Sequence, residues 1–385
     1  MNYILYLDSL TRGDKFGPPI VDEVYFLKDN TIEMQEILKD DGASRNFYGR
    51  WKMLMSLTVS LLVATPVNSL AQQTLNWQAD STWADLRGSR TWGSVTGVHP
   101  DPDGEHIWVL DRCGANTCIG SSLAPVFKFD LQGNIVSNFG AGLIAWPHGL
   151  FVDHEGNVWV TDGGTGAAGE EAANLGMGHQ VIKFSPNGEI LMRLGQAGIA
   201  GSDTETFNGP SVVVVASNGD IFIADGHGEG GNNRIMKFSS SGHYIKEWGS
   251  SGPGPGAGEF SDVHALAFDS QGRLFVGDRR NSRIQIFDQE GNFLEQWAQF
   301  GPPSDIFIDA DDVIYVTDTQ TNAMPQWFRD RRPNLWIRGI RVGDARTGNI
   351  TGFLRSDAEF LTVDKLGNIY GAEVPGQKLT KYSKP

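Results

Sequence analysis

The sequence predicts an all-β chain that folds as a six-bladed β-propeller, because one strand-like phrase recurs six times. Each copy has two small or polar residues, an alternating apolar run and a final acid. The copies end at Asp111, Asp162, Asp225, Asp278, Asp318 and Glu373. Successive copies lie about 40–60 residues apart, the blade-sized period of propellers. Alternating β-branched and aromatic residues predict a strand, and a preceding Gly-Asn or Gly-Asp predicts a hairpin turn.

Two further phrases complete each predicted blade. An innermost strand precedes each copy, as in PHGLFVD (147–153), and two outer strands follow most copies, as in NRIMKFSSSGHYIKEWG (233–249). The last copy is followed only by LTKYSK (379–384), which supplies a third strand. We therefore expect Thr74–Gln78 to provide the fourth strand and close the ring without an open edge.

Long insertions interrupt this pattern between strands. They span Gly163–Gly178, Gly226–Asn233, Ser250–Glu259 and Thr319–Asn334, and the first three are rich in glycine. Because loops on a rigid scaffold commonly carry function, we expect them to shape a binding face.

The N-terminal region does not share the repeat. Residues 1–52 match nothing that follows, and we expect a non-native or disordered extension upstream of a true start at Met53 or Met55. Residues 53–71 follow the positive flank of Arg50 and Lys52 and combine an apolar run with small residues at the end, which is typical of a secretory signal peptide. The mature propeller would then be residues 72–385, secreted or periplasmic, without stable membrane insertion. The alternative is a cytoplasmic tail with a membrane anchor.

The charge balance excludes some partners. A formal net charge of −15 argues against nucleic acid and against anionic lipid, because both need clustered Lys and Arg. We interpret the acidity as a source of solubility and expect a monomer. The two cysteines, Cys113 and Cys118, are close in sequence. A local disulfide is the expected state, and a metal pair would need two further ligands that are not obvious.

One position of the predicted innermost strands points to a metal. It holds Thr96, His148, Ser211, His264, Ser304 and Glu359 in blades one to six. These strands line the central channel, so alternate blades place His148, His264 and Glu359 about 120° apart around the axis. Two imidazoles and a carboxylate with an open position suit catalytic zinc, and also iron(II) or manganese. The alternative is two buried structural histidines and an unrelated acid.

A second ring follows the acids that end the second strands. Arg112 follows Asp111, Arg279 follows Asp278, and His227 lies two residues after Asp225. Arginines near a metal would hold a substrate carboxylate, because guanidinium pairs with it bidentately. The alternative is that each arginine pairs with neighbouring acids.

The sequence resembles a known enzyme family over most of residues 94–384. The resemblance is densest in WPHGLFVDHEGNVWVTD (146–162), HQVIKF (179–184), NNRIMKFSSSG (232–242) and VHALAFDSQGRLFVGDRRNSRIQIF (263–287). These segments are similar to the peptidyl-α-hydroxyglycine α-amidating lyases. The resemblance implies a six-bladed propeller of NHL repeats with an axial zinc and a structural calcium. It also implies cleavage of a C-terminal hydroxyglycine to a peptide amide and glyoxylate.

Several site residues match the family's pattern. By this resemblance His148 and His264 are two of three zinc histidines, and Arg112 and Arg279 are the active-site arginines. The backbone carbonyls that hold calcium fall at Val98 and Leu150.

Other positions depart from that pattern. Glu359 replaces the third zinc histidine, and Phe360 replaces the calcium-binding aspartate, which puts calcium in doubt. The active-site tyrosine falls at His227, and a methionine near the substrate falls at Asp357. The metal cage would keep two histidines and exchange one ligand, while the groups that face the substrate have changed.

Two functions are compatible with these residues. The first is a metal-dependent lyase of the amidating type that acts on a small carboxylate-bearing molecule or a peptide C-terminus. Arg112 and Arg279 would clamp the carboxylate, and His227 would be the general base. The second is a non-catalytic exported propeller that binds protein or glycan, because propellers carry many functions.

Overall fold

A computed structural model describes most of the chain from Thr74 to Lys384. It leaves out residues 85, 87, 89, 165–168, 229, 253, 255 and 322–336 within that range. The signal peptide expected at 53–71 lies outside the described residues. So does most of the extension expected at 1–52, apart from the backbone of three strands.

The chain divides into two compact units, Met1–Pro66 and Val67–Pro385. In the first unit, β1 (Ile4–Leu5), β2 (Asp22–Lys28) and β3 (Thr31–Ile37) form an antiparallel sheet in the order β1-β2-β3. None of the helices in the described part of the chain has the length and apolarity needed to cross a bilayer.

The second unit is the propeller, and it confirms the predicted fold class. Six antiparallel sheets of four strands each follow one another along the chain. Blade one contains β5 (Val95–Pro100), β6 (His106–Asp111), β7 (Val126–Asp130) and β8 (Ile135–Phe139). Blade two contains β9 (Pro147–Val152), β10 (Val158–Asp162), β11 (Gln180–Phe184) and β12 (Ile190–Leu194). Blade three contains β13 (Pro210–Val215), β14 (Ile221–Asp225), β15 (Arg234–Phe238) and β16 (Tyr244–Trp248).

The remaining blades repeat this order. Blade four contains β19 (Val263–Phe268), β20 (Leu274–Asp278), β21 (Arg283–Phe287) and β22 (Phe293–Trp297). Blade five contains β23 (Asp305–Ile308), β24 (Val313–Asp318), β25 (Gly339–Asp344) and β26 (Ile350–Leu354). Blade six contains β27 (Phe360–Val363), β28 (Ile369–Glu373), β29 (Lys378–Ser383) and β4 (Gln78–Asp80).

Burial explains why the second strand of each blade has the clearest sequence signal. Strands β10, β14, β20 and β28 are buried at every residue, because sheets pack on both of their faces. The fourth strands β12, β16 and β22 are mostly exposed. A strand that is buried on both faces requires apolar residues almost throughout, so its pattern is conspicuous.

The ring closes as predicted, but with a different set of residues. Strand β4 completes blade six by pairing with β29, and Ala79 lies opposite Tyr382. The preceding segment, expected within the closing strand, instead contacts blade five. There the N–H of Leu75 donates to the carbonyl of Phe353 at 2.8 Å, and Thr74 forms a parallel bridge to the same residue. The segment from Thr74 to Asp80 therefore joins two blades.

The insertions contain little regular structure where they are described. The first contains the helix α1 (Gly169–Asn174). The third contains a parallel pair, β17 (Ser250–Ser251) with β18 (Glu259–Phe260). Most of the fourth lies outside the described residues. The predicted local disulfide is present between Cys113 and Cys118, whose Cα atoms are 5.1 Å apart.

Candidate functional site

The predicted ring of innermost-strand residues lies at the propeller axis, and hydrogen bonds fix its members. Four of them donate to a carbonyl oxygen of the next blade. The pairs are Thr96 Oγ1 to Pro147 at 3.0 Å, His148 Nδ1 to Ser211 at 2.8 Å, Ser211 Oγ to Val263 at 2.6 Å and His264 Nδ1 to Ser304 at 2.5 Å. These hydrogen bonds connect neighbouring blades at the level of the candidate site.

Three imidazoles meet at this level. The ring centroids of His148 and His264 are 4.8 Å apart, and the ring of His227 lies 4.3 Å from the first and 5.2 Å from the second. One potential ligand nitrogen from each of the three lies within 4.8 Å of the others. Two nitrogens bound to one zinc ion at about 2.0–2.1 Å lie at most about 4.2 Å apart, so small side-chain shifts would let the three imidazoles share an ion.

Hydrogen bonding fixes the tautomers of two of these rings. A carbonyl oxygen can only accept, so Nδ1 of His148 and Nδ1 of His264 must each carry the hydrogen. The Nε2 atoms then present lone pairs toward the axis. An imidazole whose second nitrogen donates to a carbonyl is the usual arrangement of a metal-binding histidine.

His227 reaches the axis because of an unusual loop after β14. The N–H groups of Gly226 and His227 both donate to the carbonyl of Gly209, at 3.1 and 2.8 Å. A Cβ at Gly226 would lie only 2.3 Å from the backbone nitrogen of Asn233, so glycine is required there. Beyond the imidazole, the N–H of Gly228 donates to Asp262 Oδ1 at 2.9 Å. The backbone is therefore held on both sides of His227.

Glu359 lies next to the imidazoles, between His264 and Arg279. Its Oε1 is 3.5 Å from Nε2 of His264 and 2.9 Å from Nη1 of Arg279. Arg279 is also held by Asp262 Oδ2, which accepts from Nε at 2.9 Å. The nitrogen lone pair of His264 and the carboxylate oxygen face each other, and two acceptors at that distance attract a proton or a cation between them. Arg279 therefore lies at the candidate site, as the substrate-binding hypothesis expects, and it also pairs with acids, as the alternative expects.

Arg112 forms the opposite wall of the site. Its guanidinium carbon lies 3.9 Å from the ring centroid of Trp146, which is itself 5.3 Å from His148 and 5.2 Å from His227. Its Nε donates to the Pro147 carbonyl at 3.0 Å. Within the described residues, its Nη2 makes no hydrogen bond. The Nη2 of Arg112 is thus available to a ligand, while hydrogen bonds hold the rest of the guanidinium in place.

The disulfide loop positions Arg112. Asn116 lies between Cys113 and Cys118, and its Oδ1 accepts from Nη1 of Arg112 at 2.6 Å. The Cys113 N–H donates to Asp111 Oδ1 at 2.8 Å, which ties the loop to the end of β6. The disulfide therefore restrains a six-residue segment, and Asn116 within that segment orients Arg112.

Burial and neighbouring charge keep the imidazoles neutral. Burial, together with His227 and Arg112, lowers the pKa of His148 well below its usual value. Burial and Arg279 do the same to the pKa of His264. Burial and Arg279 lower the pKa of His227 to about 3. Neutral imidazole is the form that binds metals, whereas a ring with so low a pKa is a weak general base at neutral pH.

Unpartnered polar atoms indicate that the site fits a metal and a polar substrate. Within the described residues, three buried atoms around it have no hydrogen-bond partner: Nε2 of His264, Nδ1 of His227 and Nε1 of Trp146. Buried polar groups are normally paired, so three of them in one place point to a missing ligand. The two nitrogens of the imidazoles suit a divalent transition metal.

The residue at the position matched to the calcium-binding aspartate offers no ligand for calcium. The side chain there is Phe360, whose ring lies 5.5 Å from that of His148 and 5.6 Å from that of His264. Calcium requires oxygen ligands, and an apolar ring in contact with both imidazoles provides none. Asp357, at the position matched to a methionine near the substrate, is exposed and lies 3.8 Å from Arg338.

The sequence pattern predicts His148, His264 and Glu359 at the axis and both arginines near them, but it does not predict His227 in the imidazole group. The signal that could have found it is the glycine between Asp225 and His227. His227 lies two residues after its acid, whereas Arg112 and Arg279 directly follow theirs. Its ring lies within 5.2 Å of both other imidazoles. Trp146 and Asn116 were not singled out as site residues, because neither carries a titratable group.

Comparison with known proteins supports the same family. An NHL repeat model matches residues 260–287. The chain is 32% identical over 227 residues to peptidyl-glycine alpha-amidating monooxygenase A of Xenopus laevis, which covers 54% of this chain and 22% of the relative. It is 36% identical over 147 residues to a probable peptidyl-alpha-hydroxyglycine alpha-amidating lyase of Caenorhabditis elegans, covering 38% of this chain and 37% of the relative.

Solved structures agree on the fold. A gluconolactonase from Xanthomonas campestris superposes with a TM-score of 0.54 at 14% identity, over 83% of this chain and 93% of that one. The matched region is about a fifth of the length of the amidating monooxygenases. The chain is a six-bladed β-propeller with an NHL repeat, and it resembles the peptidyl-α-hydroxyglycine α-amidating lyases.

Proposed function

We propose that this chain is a metal-dependent lyase that cleaves peptides or small molecules ending in α-hydroxyglycine. The observation that carries the proposal is the axial group of His148, His227 and His264, with two tautomers fixed and two nitrogens unpartnered. The relatives named as amidating lyases support the reaction type. A secreted or periplasmic location, a monomeric state and zinc as the metal belong to the same proposal.

The three imidazoles would hold the metal, which differs from the ligand set expected from sequence. His148 and His264 keep their expected role, and His227 takes the third position in place of Glu359. A divalent ion bound there would polarise the substrate's hydroxyl or carbonyl oxygen. The imidazole nitrogens would then gain the partner that two of them lack.

Glu359 would be the general base in place of His227. It is held by Arg279 at 2.9 Å and stands 3.5 Å from a proposed ligand nitrogen, so its carboxylate borders the reacting hydroxyl. The carboxylate would take the proton of the hydroxyl as the C–N bond breaks and return it to the departing amide nitrogen. The products are a primary amide and glyoxylate, so the reaction needs neither water nor an oxidant.

Arg112 would bind the carboxylate of the substrate. Within the described residues its Nη2 makes no hydrogen bond, and its guanidinium carbon lies 3.9 Å from the ring of Trp146, whose buried indole N–H also has no partner there. A carboxylate between these two groups would receive charge-assisted hydrogen bonds. Arg279 is already bonded to Asp262 and Glu359, so it would orient the base more than contact the substrate.

The direct test is release of glyoxylate from a peptide with a C-terminal α-hydroxyglycine. We expect Glu359→Gln to lower kcat by at least about a hundredfold, because it removes the base. Arg112→Ala should mainly raise KM. Arg346→Ala, in an exposed ion pair with Asp344, is the matched control and should change neither. No glyoxylate from a metal-loaded protein would instead favour an exported propeller that binds protein or glycan.

A further inference from the structure

A second cavity lies on the propeller axis, apart from the imidazole group. It has a volume of about 240 Å³ and is lined by innermost strands of all six blades. Its deep wall is formed by buried apolar side chains such as Val98, Leu150 and Leu266. Apolar cavities of roughly 150 Å³ can bind benzene, so this one has room for a ring with a short substituent.

One carboxyl group lies in this apolar wall. Asp305 begins β23 and lines the cavity, and its two oxygens accept the N–H groups of Ile306 and Leu361, each at 2.9 Å. No ion pair within the described residues includes Asp305. A carboxylate offers about four acceptor positions, so two remain for a ligand. Asp305 is half-buried, and a partly desolvated charge without a counter-ion is costly, so a cation in the cavity would offset that cost.

Aromatic rings surround the same cavity. Phe151, Phe268 and Phe307 line it together with His99, and all four are partly exposed. The ring of His99 lies 4.7 Å from that of Phe151 and 6.4 Å from that of Phe307. The faces of aromatic rings attract organic cations, and several rings around one space form a cage for ammonium groups.

Phe360 marks the boundary between this cavity and the imidazole group. Its ring contacts both His148 and His264, and it belongs to the same core cluster as Val98, which lines the cavity. The next residue, Leu361, lines the cavity itself. The residues that line the cavity do not include His148, His227 or His264, so a molecule there would not need to touch the candidate metal ligands.

We propose that this axial cavity binds a small organic ammonium ion, with its charged group at Asp305 and its apolar body among the phenylalanine rings. An aromatic or branched aliphatic amine of about eight heavy atoms matches both the volume and the lining. The site is separate from the proposed lyase chemistry and does not depend on it.

The test uses benzylamine as the probe and benzyl alcohol as its neutral counterpart, each titrated into the full chain by calorimetry. We expect benzylamine to bind at one site, and benzyl alcohol to bind at least about tenfold more weakly. Asp305→Asn should lower the affinity for benzylamine by at least about tenfold. Asp311→Asn removes an equal charge from an exposed turn and should leave the affinity within about twofold.

Two further variants distinguish a loss of binding from a folding defect. Phe307→Leu keeps the wall apolar but removes one ring, and should weaken benzylamine a few-fold with an unchanged melting temperature. His148→Ala alters the imidazole group and should leave benzylamine binding unchanged. Equal affinity for the alcohol, full binding by Asp305→Asn, absence of binding, or displacement of benzylamine by calcium ions would each overturn the proposal.

Discussion

Individual side chains around the axis are held by neighbours that carry no chemistry themselves. Asn116 is the clearest case, because its Oδ1 accepts from Nη1 of Arg112 at 2.6 Å and lies 3.1 Å from the hydroxyl of Ser94. It is placed there by the loop that the disulfide closes. A residue of this kind positions another one and should affect binding more than stability.

We predict that Asn116→Ala raises KM for a hydroxyglycine peptide about tenfold, because Arg112 loses one of its fixed contacts. The melting temperature should change by less than about 2 °C. Steady-state kinetics and thermal unfolding measure both. Asn218→Ala, in an exposed turn, is the control. If KM does not move, Asn116 is not what orients the arginine.

Asp305 should make stability depend on pH. Burial in the axial cavity raises the pKa of Asp305 from 3.8 to about 7, with backbone N–H groups opposing and Glu359 adding to the rise. The folded state then holds this proton more tightly than the unfolded state. The stabilisation is complete below about pH 4 and is lost as the pH rises through 7. His99, which lines the same cavity, has its pKa lowered to about 4 by burial and stays neutral over this window.

We therefore predict that Asp305→Asn flattens the pH dependence of unfolding. Between pH 5 and 8 the wild-type chain should lose about 2–4 kcal/mol more stability than the variant. Urea unfolding at several pH values tests this, with Asp311→Asn as the exposed control. Parallel curves for wild type and Asp305→Asn would show that the carboxyl titrates normally.

Within each blade, one polar contact recurs and links the first two strands. The acid that follows the innermost strand accepts from the aromatic residue of the second strand in four blades. The pairs are Asp101 with Trp108 at 2.8 Å, Asp153 with Trp159 at 3.0 Å, Asp309 with Tyr315 at 3.3 Å and Asp364 with Tyr370 at 2.9 Å. Blade three has Ala216 and Phe222 at these positions, so acceptor and donor are absent together.

Trp159→Phe should lower the free energy of unfolding by about 1–2 kcal/mol, because a buried acceptor loses its donor and the cavity is underfilled. Denaturant unfolding measures the change. Phe222→Tyr in blade three should also destabilise, since its hydroxyl would find no carboxylate. Adding Ala216→Asp to that variant should restore part of the loss. A Trp159→Phe variant as stable as the wild type would contradict this role.

The closing segment is the element that joins the two ends of the propeller. Leu75 and Trp77 pack against the cluster of blades five and six, and β4 supplies the last strand. We predict that a chain beginning at Thr82 melts at least about 5 °C below one beginning at Gln72, because blade six would have an open edge. Thermal unfolding with light scattering tests this. Equal melting temperatures would mean that the ring does not need the segment.

Sequence periodicity predicted the blades well because a strand buried on both faces leaves an unbroken apolar pattern. It predicted the closing strand a few residues too early. Thr74–Gln78 and Gln78–Asp80 have similar alternation, and only the pairing of Ala79 with Tyr382 decides between them. Strand register depends on contacts distant in sequence, so local pattern alone cannot fix it.

The sequence predicts the ring of innermost-strand residues in the candidate site, but it does not predict the side chains that the loops bring to it. Equivalent positions in a repeat converge on the axis, and this placed His148, His264, Glu359 and both arginines there. Repetition says nothing about loops that differ between blades. The loop that carries His227 spans residues 226–233, whereas its counterpart in blade four spans only residues 279–282. The longer loop places a third imidazole beside the other two.

At the scale of the whole molecule, the described strands of the six blades enclose two axial compartments, and the ring of Phe360 lies against the imidazoles of the first. One contains the imidazoles with unpartnered nitrogens, and the other contains Asp305 among apolar rings. Such a division follows from the propeller, because every blade contributes the same strand to the axis at each level. The proposed lyase chemistry requires a metal ion in the first compartment.

Elemental analysis of the purified chain tests that claim most directly. We predict about one divalent transition-metal ion per chain, lost in His148→Ala, His227→Ala and His264→Ala, and retained in Glu359→Gln and in the exposed control His243→Ala. Loss in Glu359→Gln with retention in His227→Ala would restore the ligand set expected from sequence. A chain that binds no transition metal, or keeps it in all three imidazole variants, would contradict the account.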